Sequence, residues 1–309
     1  MRVALLGMGV IGAGWAVHLL ARGHEVACFD PQEGWMQTLE TVAERAEAAL
    51  DPLGLDLGNW RERVHVATSV ADAVVGADWV QENGPERSQA KSALIAAADA
   101  AAPAHVIIAS SSSGTLPSSL AAAAEHHPER VIVGHPFNPV YLIPLVEVVG
   151  APTTPAETLE RARATYRDFG KRPVVLRDEV PGYLANRLQA ALWREAYSLV
   201  DRGLVTVEDV DTAIASGPGL RWALLGPIAN QHLSGGAGGL AHVLEHLGPP
   251  TQRWMDDLGA PQLTPELAAR LVAGVEAELV GRDLELLARE RDRGLVALLL
   301  LKDDLEEIP

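Results

Sequence analysis

A single cysteine, Cys28, stands in a chain of 309 residues, which excludes an internal disulfide and gives no sign of an oxidising compartment. Lysine is nearly as scarce, with only Lys91, Lys171 and Lys302. Almost all positive charge is therefore arginine, no basic block occurs, and the formal net charge is -16. That balance disfavours nucleic acid and anionic membrane surfaces as partners. Long apolar runs are missing as well. The stretch Leu295 to Leu301 falls far short of the roughly 20 residues a membrane helix needs. The first apolar run, Val3 to Leu6, passes straight into a glycine motif, too early for the core of a targeting signal. The expectation is a soluble, acidic, cytoplasmic protein that acts on small molecules.

What remains is 48% hydrophobic and long enough for two cores. The first half alternates short apolar runs with alanine-rich amphipathic stretches, the pattern of βαβ units around a parallel sheet. Strands are expected at Arg2 to Leu6, Glu25 to Phe29, Trp79 to Gln81, Val106 to Ala109, Val131 to Val133, Leu145 to Val149 and Pro173 to Leu176. Helices are expected at Ile11 to Arg22, Met36 to Leu50, Gln89 to Ala101 and Pro155 to Phe169. From Pro181 the pattern is helical only: Tyr183 to Arg202, Val207 to Ala215, a glycine-rich loop at Ser234 to Gly239, and two helices after Thr264. Thr206-Val207-Glu208-Asp209 has the acidic first turn of a helix start. The fold class is thus α/β: a Rossmann-like doubly wound sheet over residues 1–180, then an all-α domain over 181–309.

Gly7-Met8-Gly9-Val10-Ile11-Gly12 fits G-x-G-x-x-G between a strand and a helix, with Asp30 closing the second strand. Gly7 suits a tight turn, Gly9 a close approach of backbone to a pyrophosphate, and Gly12 close helix–strand packing. The helix start through Val10 and Ile11 offers free N–H groups and a positive dipole end to phosphates. Asp30 can accept hydrogen bonds from ribose hydroxyls and would repel a 2′-phosphate. No arginine follows in Pro31-Gln32-Glu33-Gly34. The site reads as one for NAD rather than NADP; the bland alternative is a glycine turn without a cofactor.

The segment Gly134-His135-Pro136-Phe137-Asn138-Pro139 places a histidine in a proline-braced loop after Val131-Ile132-Val133. Glu147 lies in the β-branched run Leu145 to Val149, where a lone buried carboxylate would be costly. A returning strand could bring that carboxylate to the imidazole and hold it in one tautomer. The alternative is a loop histidine at a strand end, with Glu147 solvated.

Taken together, the glycine motif with Asp30, the serine run Ser110 to Ser113, the His135 loop, Glu147 and Pro181-Gly182-Tyr183-Leu184-Ala185-Asn186-Arg187-Leu188 resemble the L-3-hydroxyacyl-CoA dehydrogenase superfamily over nearly the whole chain. The resemblance implies His135 as catalytic base and Glu147 as its orienting carboxylate. It places Ser113 and Asn186 at the oxygen on which charge develops. Glu86, Lys91 and Asn138 match positions that contact the cofactor near its nicotinamide end. It also implies a homodimer formed through the helical domain. Each residue has a plainer reading: Ser113 as a turn or N-cap serine, Asn186 as a helix cap, Glu86 and Lys91 as a solvated helix-start pair.

The chain departs from the acyl-CoA enzymes in having no lysine before Lys91, and Asp51 to Trp60 is acidic to neutral. An anionic CoA tail would find little there. Gly217 to Pro227 and the following glycine-rich loop resemble the branch acting on small free hydroxy acids, which contains L-carnitine dehydrogenase and L-gulonate 3-dehydrogenase (the lambda-crystallin group). Arg221 is then the candidate clamp for a substrate carboxylate. Trp222, with Trp193, is a candidate wall for a quaternary ammonium. The alternatives are a surface arginine and core tryptophans. Asp78 to Glu82 with Pro85-Glu86 resembles the carnitine type, whereas Gly226-Pro227 and His232-Leu233 resemble the gulonate type. Rival readings are a 3-hydroxyacyl-CoA dehydrogenase and a non-catalytic dinucleotide-binding sensor or structural protein.

Overall fold

A computed structural model describes residues 1–308. Contacts divide the chain into two compact units, Met1–Arg187 and Leu188 onward. In the first unit the strands are β1 (Arg2–Leu6), β2 (Glu25–Phe29), β3 (Val64–Val66), β4 (Trp79–Glu82), β5 (Ile107–Ser110), β6 (Val131–Pro136), β7 (Leu145–Gly150) and β8 (Arg172–Val175). They form one eight-stranded sheet in the order β3-β2-β1-β4-β5-β6-β7-β8. Strands β1 to β6 are parallel, β7 runs antiparallel to β6, and β8 is parallel to β7. The helices are α1 (Val10–Leu20), α2 (Trp35–Leu50), α3 (Val70–Val74), α4 (Ser88–Ala101), α5 (Pro117–Ala121) and α6 (Ala156–Asp168).

Continuous apolar runs make this sheet because helices cover its faces, so successive side chains are buried in both directions. Leu5, Leu6, Val80, Ile108, Val131 and Val133 are all inaccessible. Each such side chain contributes about 1.5–3 kcal/mol relative to exposure. The edge strand β3, Val64-His65-Val66, escapes the pattern because it is three residues long and its valines flank an exposed histidine, with Val66 itself exposed.

One expectation needs correction. His135 is not in a loop: β6 continues past Val133 through Gly134, His135 and Pro136. Beyond Val133 the β5 side has no paired residue, while β7 pairs as far as Pro136↔Val146. Proline lacks a ladder donor, and a strand end paired on one side tolerates it.

Helix α7 (Ala185–Asp201) leads from the end of the first unit into the second. There follow α8 (Val207–Ala215), α9 (Pro218–Leu224), α10 (Pro227–Ser234), α11 (Gly239–Asp257), α12 (Pro265–Glu278) and α13 (Leu284–Asp304). The expected start of α8 is a full capping box, with Thr206 and Asp209 bonding each other's backbone N–H. No helix was placed from sequence between Ala215 and Thr264, yet α9 lies within Gly217 to Pro227, and α10 and α11 flank the expected glycine-rich loop at Ser234 to Gly239. Proline occupies the first turn of α9 and α10, where its missing N–H has no helical partner to lose. Helix α11 carries Pro249 and Pro250 inside it. Among the described residues no helix is long and apolar enough to cross a membrane.

Candidate functional site

Strand β1 is flanked by β2 on one side and β4 on the other, so the strand order reverses there. Ligand crevices in such sheets open at the carboxyl ends of the strands at the reversal. The glycine motif occupies that point. Gly7 has φ +93°, and a Cβ on it would lie 2.7 Å from the Asn83 carbonyl. A Cβ on Gly12 would lie 1.9 Å from the Gly7 carbonyl oxygen, whereas one on Gly9 would meet nothing within 4 Å. Gly7 and Gly12 are thus required by the chain itself, and Gly9 leaves open space in front of the α1 N-terminus. No side chain caps that N-terminus, so the N–H groups of its first turn through Val10 and Ile11 remain for an anion.

Asp30 braces this turn from the end of β2. Its Oδ2 accepts from the Met8 N–H at 2.7 Å and its Oδ1 from the Gln32 N–H at 2.8 Å. Each oxygen keeps a lone pair for a hydroxyl. Asp30 also borders a cavity of about 310 Å³ with Pro31, Gln32, Glu33, Trp35 and Val66, whose lining holds no arginine or lysine. A dinucleotide with free ribose hydroxyls fits this cradle; a 2′-phosphate does not.

On the other side of α1's start lies a cavity of about 290 Å³, lined by Ile11, Asn83, Gly84, Glu86, Lys91, Ser111, Ser113, His135 and Pro136. His135 stands directly across the antiparallel ladder from Glu147. Its Nδ1 lies 2.8 Å from Glu147 Oε2, with both side chains almost inaccessible. The second oxygen, Oε1, accepts from the backbone N–H groups of Leu184 at 2.9 Å and Ala185 at 2.8 Å, where α7 begins. The Pro181-Gly182-Tyr183 turn thereby aims the free amides of a helix N-terminus at the carboxylate. Tyr183, buried, holds φ 50° there and is the one non-glycine residue with positive φ among the described residues. Its hydroxyl donates to the Thr115 carbonyl at 2.6 Å, and its ring lies 5.6 Å from that of His135.

Burial pushes the Glu147 carboxyl up, but the hydrogen bond from His135 and the two amides outweigh it and hold the group below its ordinary value. An ionised carboxylate only accepts. The Nδ1 position must therefore carry the proton, which leaves Nε2 as a basic lone pair.

Ser113 borders the same cavity, and Asn186 Nδ2 donates to the Ser113 carbonyl at 3.1 Å, so the two residues do come together. Glu86 and Lys91 are not a solvated pair. Lys91 is 2% exposed, with its Nζ 3.1 Å from Glu86, 3.2 Å from Glu82 and 3.2 Å from the Gly84 carbonyl. Glu86 also accepts from the Ser112 hydroxyl and from the Ser113 and Gly114 amides. Asn138 is exposed and lies outside the residues lining either cavity.

Two buried residues of β4 were given no role from sequence. Glu82 is inaccessible and partners Lys91, Ser110 and the Gly84 N–H. Gln81 donates to Ser111 Oγ and the Gly134 carbonyl and accepts from Trp79 and Tyr166. The available signal was polar residues at positions where an apolar parallel strand should continue.

In the second unit, Arg221 is exposed on α9, and Trp222 and Trp193 are 41% and 47% exposed, so neither tryptophan is a core residue. Trp193 lines an apolar cavity of about 510 Å³ with Leu192, Tyr197, Ile214, Leu271 and Val275.

Residues 2–179 match the family described as 3-hydroxyacyl-CoA dehydrogenase, NAD binding domain, and residues 182–270 match its C-terminal domain. The chain is 46% identical to an L-carnitine dehydrogenase of Streptomyces coelicolor over 96% of its own length and 93% of the relative's. It is 44% identical to a 3-hydroxyacyl-CoA dehydrogenase of Gibberella moniliformis, covering 97% of this chain and 94% of that one. Among solved structures it resembles 5-formyl-3-hydroxy-2-methylpyridine 4-carboxylic acid 5-dehydrogenase, an NAD+-dependent dismutase, with TM-score 0.84, 30% identity and 99% of each chain covered. The chain therefore belongs to the 3-hydroxyacyl-CoA dehydrogenase family and is an NAD-dependent dehydrogenase.

Proposed function

We propose that this dehydrogenase oxidises the 3-hydroxyl of a small free L-3-hydroxy acid, of carnitine type first and L-gulonate type second, to the 3-oxo acid. The observation that carries the reading is the His135–Glu147 pair, with its proton fixed on Nδ1, bordering the same cavity as Ile11 of the dinucleotide cradle. The bound cofactor supplies the hydride acceptor. The chain's own residues handle the proton. His135 Nε2 takes it from the substrate hydroxyl, and Glu147 stabilises the resulting imidazolium. The Ser113 hydroxyl and the second N–H of the Asn186 amide donate to the oxygen on which charge develops. Arg221 pairs with the substrate carboxylate through its forked guanidinium, and Trp222 walls the substrate.

The carnitine type is favoured by relatives of that name at 42–46% identity over nearly the full length. The Gibberella relative keeps a CoA thioester as the second reading. NADH formation with L-carnitine, L-gulonate, L-3-hydroxybutyrate and 3-hydroxybutyryl-CoA, assayed in parallel, separates them. Turnover of a free acid is expected, with KM raised about tenfold or more in Arg221→Lys, whose ammonium cannot reproduce a bidentate pair. Turnover of the thioester alone would overturn the assignment, and an unchanged KM would remove Arg221 from the site.

The second unit also supports a homodimer. Among its described residues, Val200, Leu267 and Val296 are the buried apolar side chains, while Trp254, Met255, Leu284 and Val280 are more than half exposed. So much exposed apolar surface is what a second copy would cover. Sedimentation equilibrium is expected to give twice the chain mass; a monomer at micromolar concentration would refute this.

A further inference from the structure

The Glu82–Lys91–Glu86 cluster sets the charge of the cavity wall, and the geometry supports a consequence for the oxidation state of the cofactor. Lys91 lies between two carboxylates, 3.2 Å from Glu82 and 3.1 Å from Glu86. It is the one ammonium among the residues lining the cavity. Two carboxylates against one ammonium leave one negative charge in excess. Every partner around Glu82 is a donor or can act as one: Lys91 Nζ, the Gly84 N–H at 2.6 Å and the Ser110 hydroxyl. Burial prevails over the Lys91 charge and the Ser110 and Gly84 hydrogen bonds and leaves the Glu82 carboxyl above its ordinary value. Glu86 is different. Burial raises it too, but the Ser112 hydroxyl, Lys91 and the Gly114 N–H prevail and hold it below its ordinary value. Its side chain is 44% exposed, so this charge stands at the edge of the cavity rather than inside the core.

The oxidised nicotinamide ring carries a positive charge and the reduced ring carries none. A wall with excess negative charge attracts the first and is indifferent to the second. We infer that the Glu82–Lys91–Glu86 cluster is a redox-state selector, holding the oxidised dinucleotide preferentially through its excess negative charge, which Glu86 presents at the cavity edge. This rests on the dinucleotide reading of the glycine cradle and is independent of which hydroxy acid is oxidised. Neither cluster carboxylate touches the proton-handling pair in this role. Their effect is on binding equilibria, through charge.

The test compares dissociation constants of NAD+ and NADH, by tryptophan quenching and NADH fluorescence, in the full-length protein, Glu86→Gln and Ser112→Ala. Glutamine keeps an oxygen for the Ser112, Ser113 and Gly114 donors while removing the charge. In Glu86→Gln the Kd for NAD+ is expected to rise about fivefold or more, with the Kd for NADH changing less than about twofold. Ser112→Ala loses a hydrogen bond but no charge, and its NAD+/NADH ratio is expected to stay at the parent value. Equal weakening of both nucleotides by Glu86→Gln would overturn the inference, because a purely positioning role predicts it. A ratio shifted as much by Ser112→Ala as by Glu86→Gln would do the same. Failure of the parent protein to bind either nucleotide would instead overturn the cradle.

Discussion

Glutamine at position 135 is expected to lower kcat by about 10²–10⁴-fold while leaving the dissociation constant for NADH nearly unchanged. The substitution preserves a planar, hydrogen-bonding side chain, and its amide can still donate to Glu147 across the ladder. What it lacks is the basic ring lone pair that takes the hydroxyl proton. Three donors converge on one carboxylate: His135 Nδ1 and the Leu184 and Ala185 amides. Because Glu147 can only accept, the ring proton is confined to Nδ1, and Nε2 is the acceptor. Steady-state turnover and NADH fluorescence titration on the same preparation check both halves. A near-normal rate would remove His135 as the base. A large loss of NADH affinity would mean that the residue shapes the cofactor pocket rather than moving a proton.

How much of this was legible in the residues differs between the two units, for a physical reason. The sheet was readable because parallel strands buried on both faces leave continuous apolar runs: β1 and β2 lie where those runs predict, residue for residue. The pairing of His135 with Glu147 was readable as chemistry but not as register. Nothing in the Gly134-His135-Pro136 spelling says that β6 extends past its apolar part, since proline and glycine ordinarily end strands. Only the partner β7, pairing from one side, makes the extension possible. Glu82 and Gln81 were passed over for a related reason. A polar residue in an apolar strand is informative only with its partners, and those come from Lys91, Tyr166 and Gly134, which are nine to 85 residues away. In the second unit, Gly217-Pro218 and Gly226-Pro227 carry the same letters as loops but start α9 and α10. Proline's fixed φ serves a turn and a first helical turn equally well.

Glu147→Gln is expected to lower kcat by about 10³–10⁴-fold with a smaller effect on folding. The amide has one oxygen and one NH2 where the carboxylate had two oxygens. Two backbone donors, Leu184 and Ala185, converge on one side, and one ring nitrogen faces the other. Pointing the oxygen at the backbone pair satisfies two donors, and the NH2 then faces His135. The ring can accept from that NH2 only by moving its own proton to Nε2, the position required for base catalysis. The opposite orientation would set NH2 against two N–H groups, each a buried donor costing about 1–3 kcal/mol if unpaired. The first arrangement is therefore favoured, and it disables the base without emptying the site. The acid side separates the charge from the tautomer. Glu147 is held below its ordinary value, so its contribution to stability is full above the unfolded pKa of about 4.3. That contribution is lost as pH falls through the lower folded value. Chemical denaturation between about pH 6 and pH 3 should accordingly show the parent protein losing more stability than Glu147→Gln, with the two curves converging at the acid end. A variant with unaltered kcat would mean that something other than Glu147 sets the ring's tautomer, and parallel curves would mean that Glu147 titrates alike in both states.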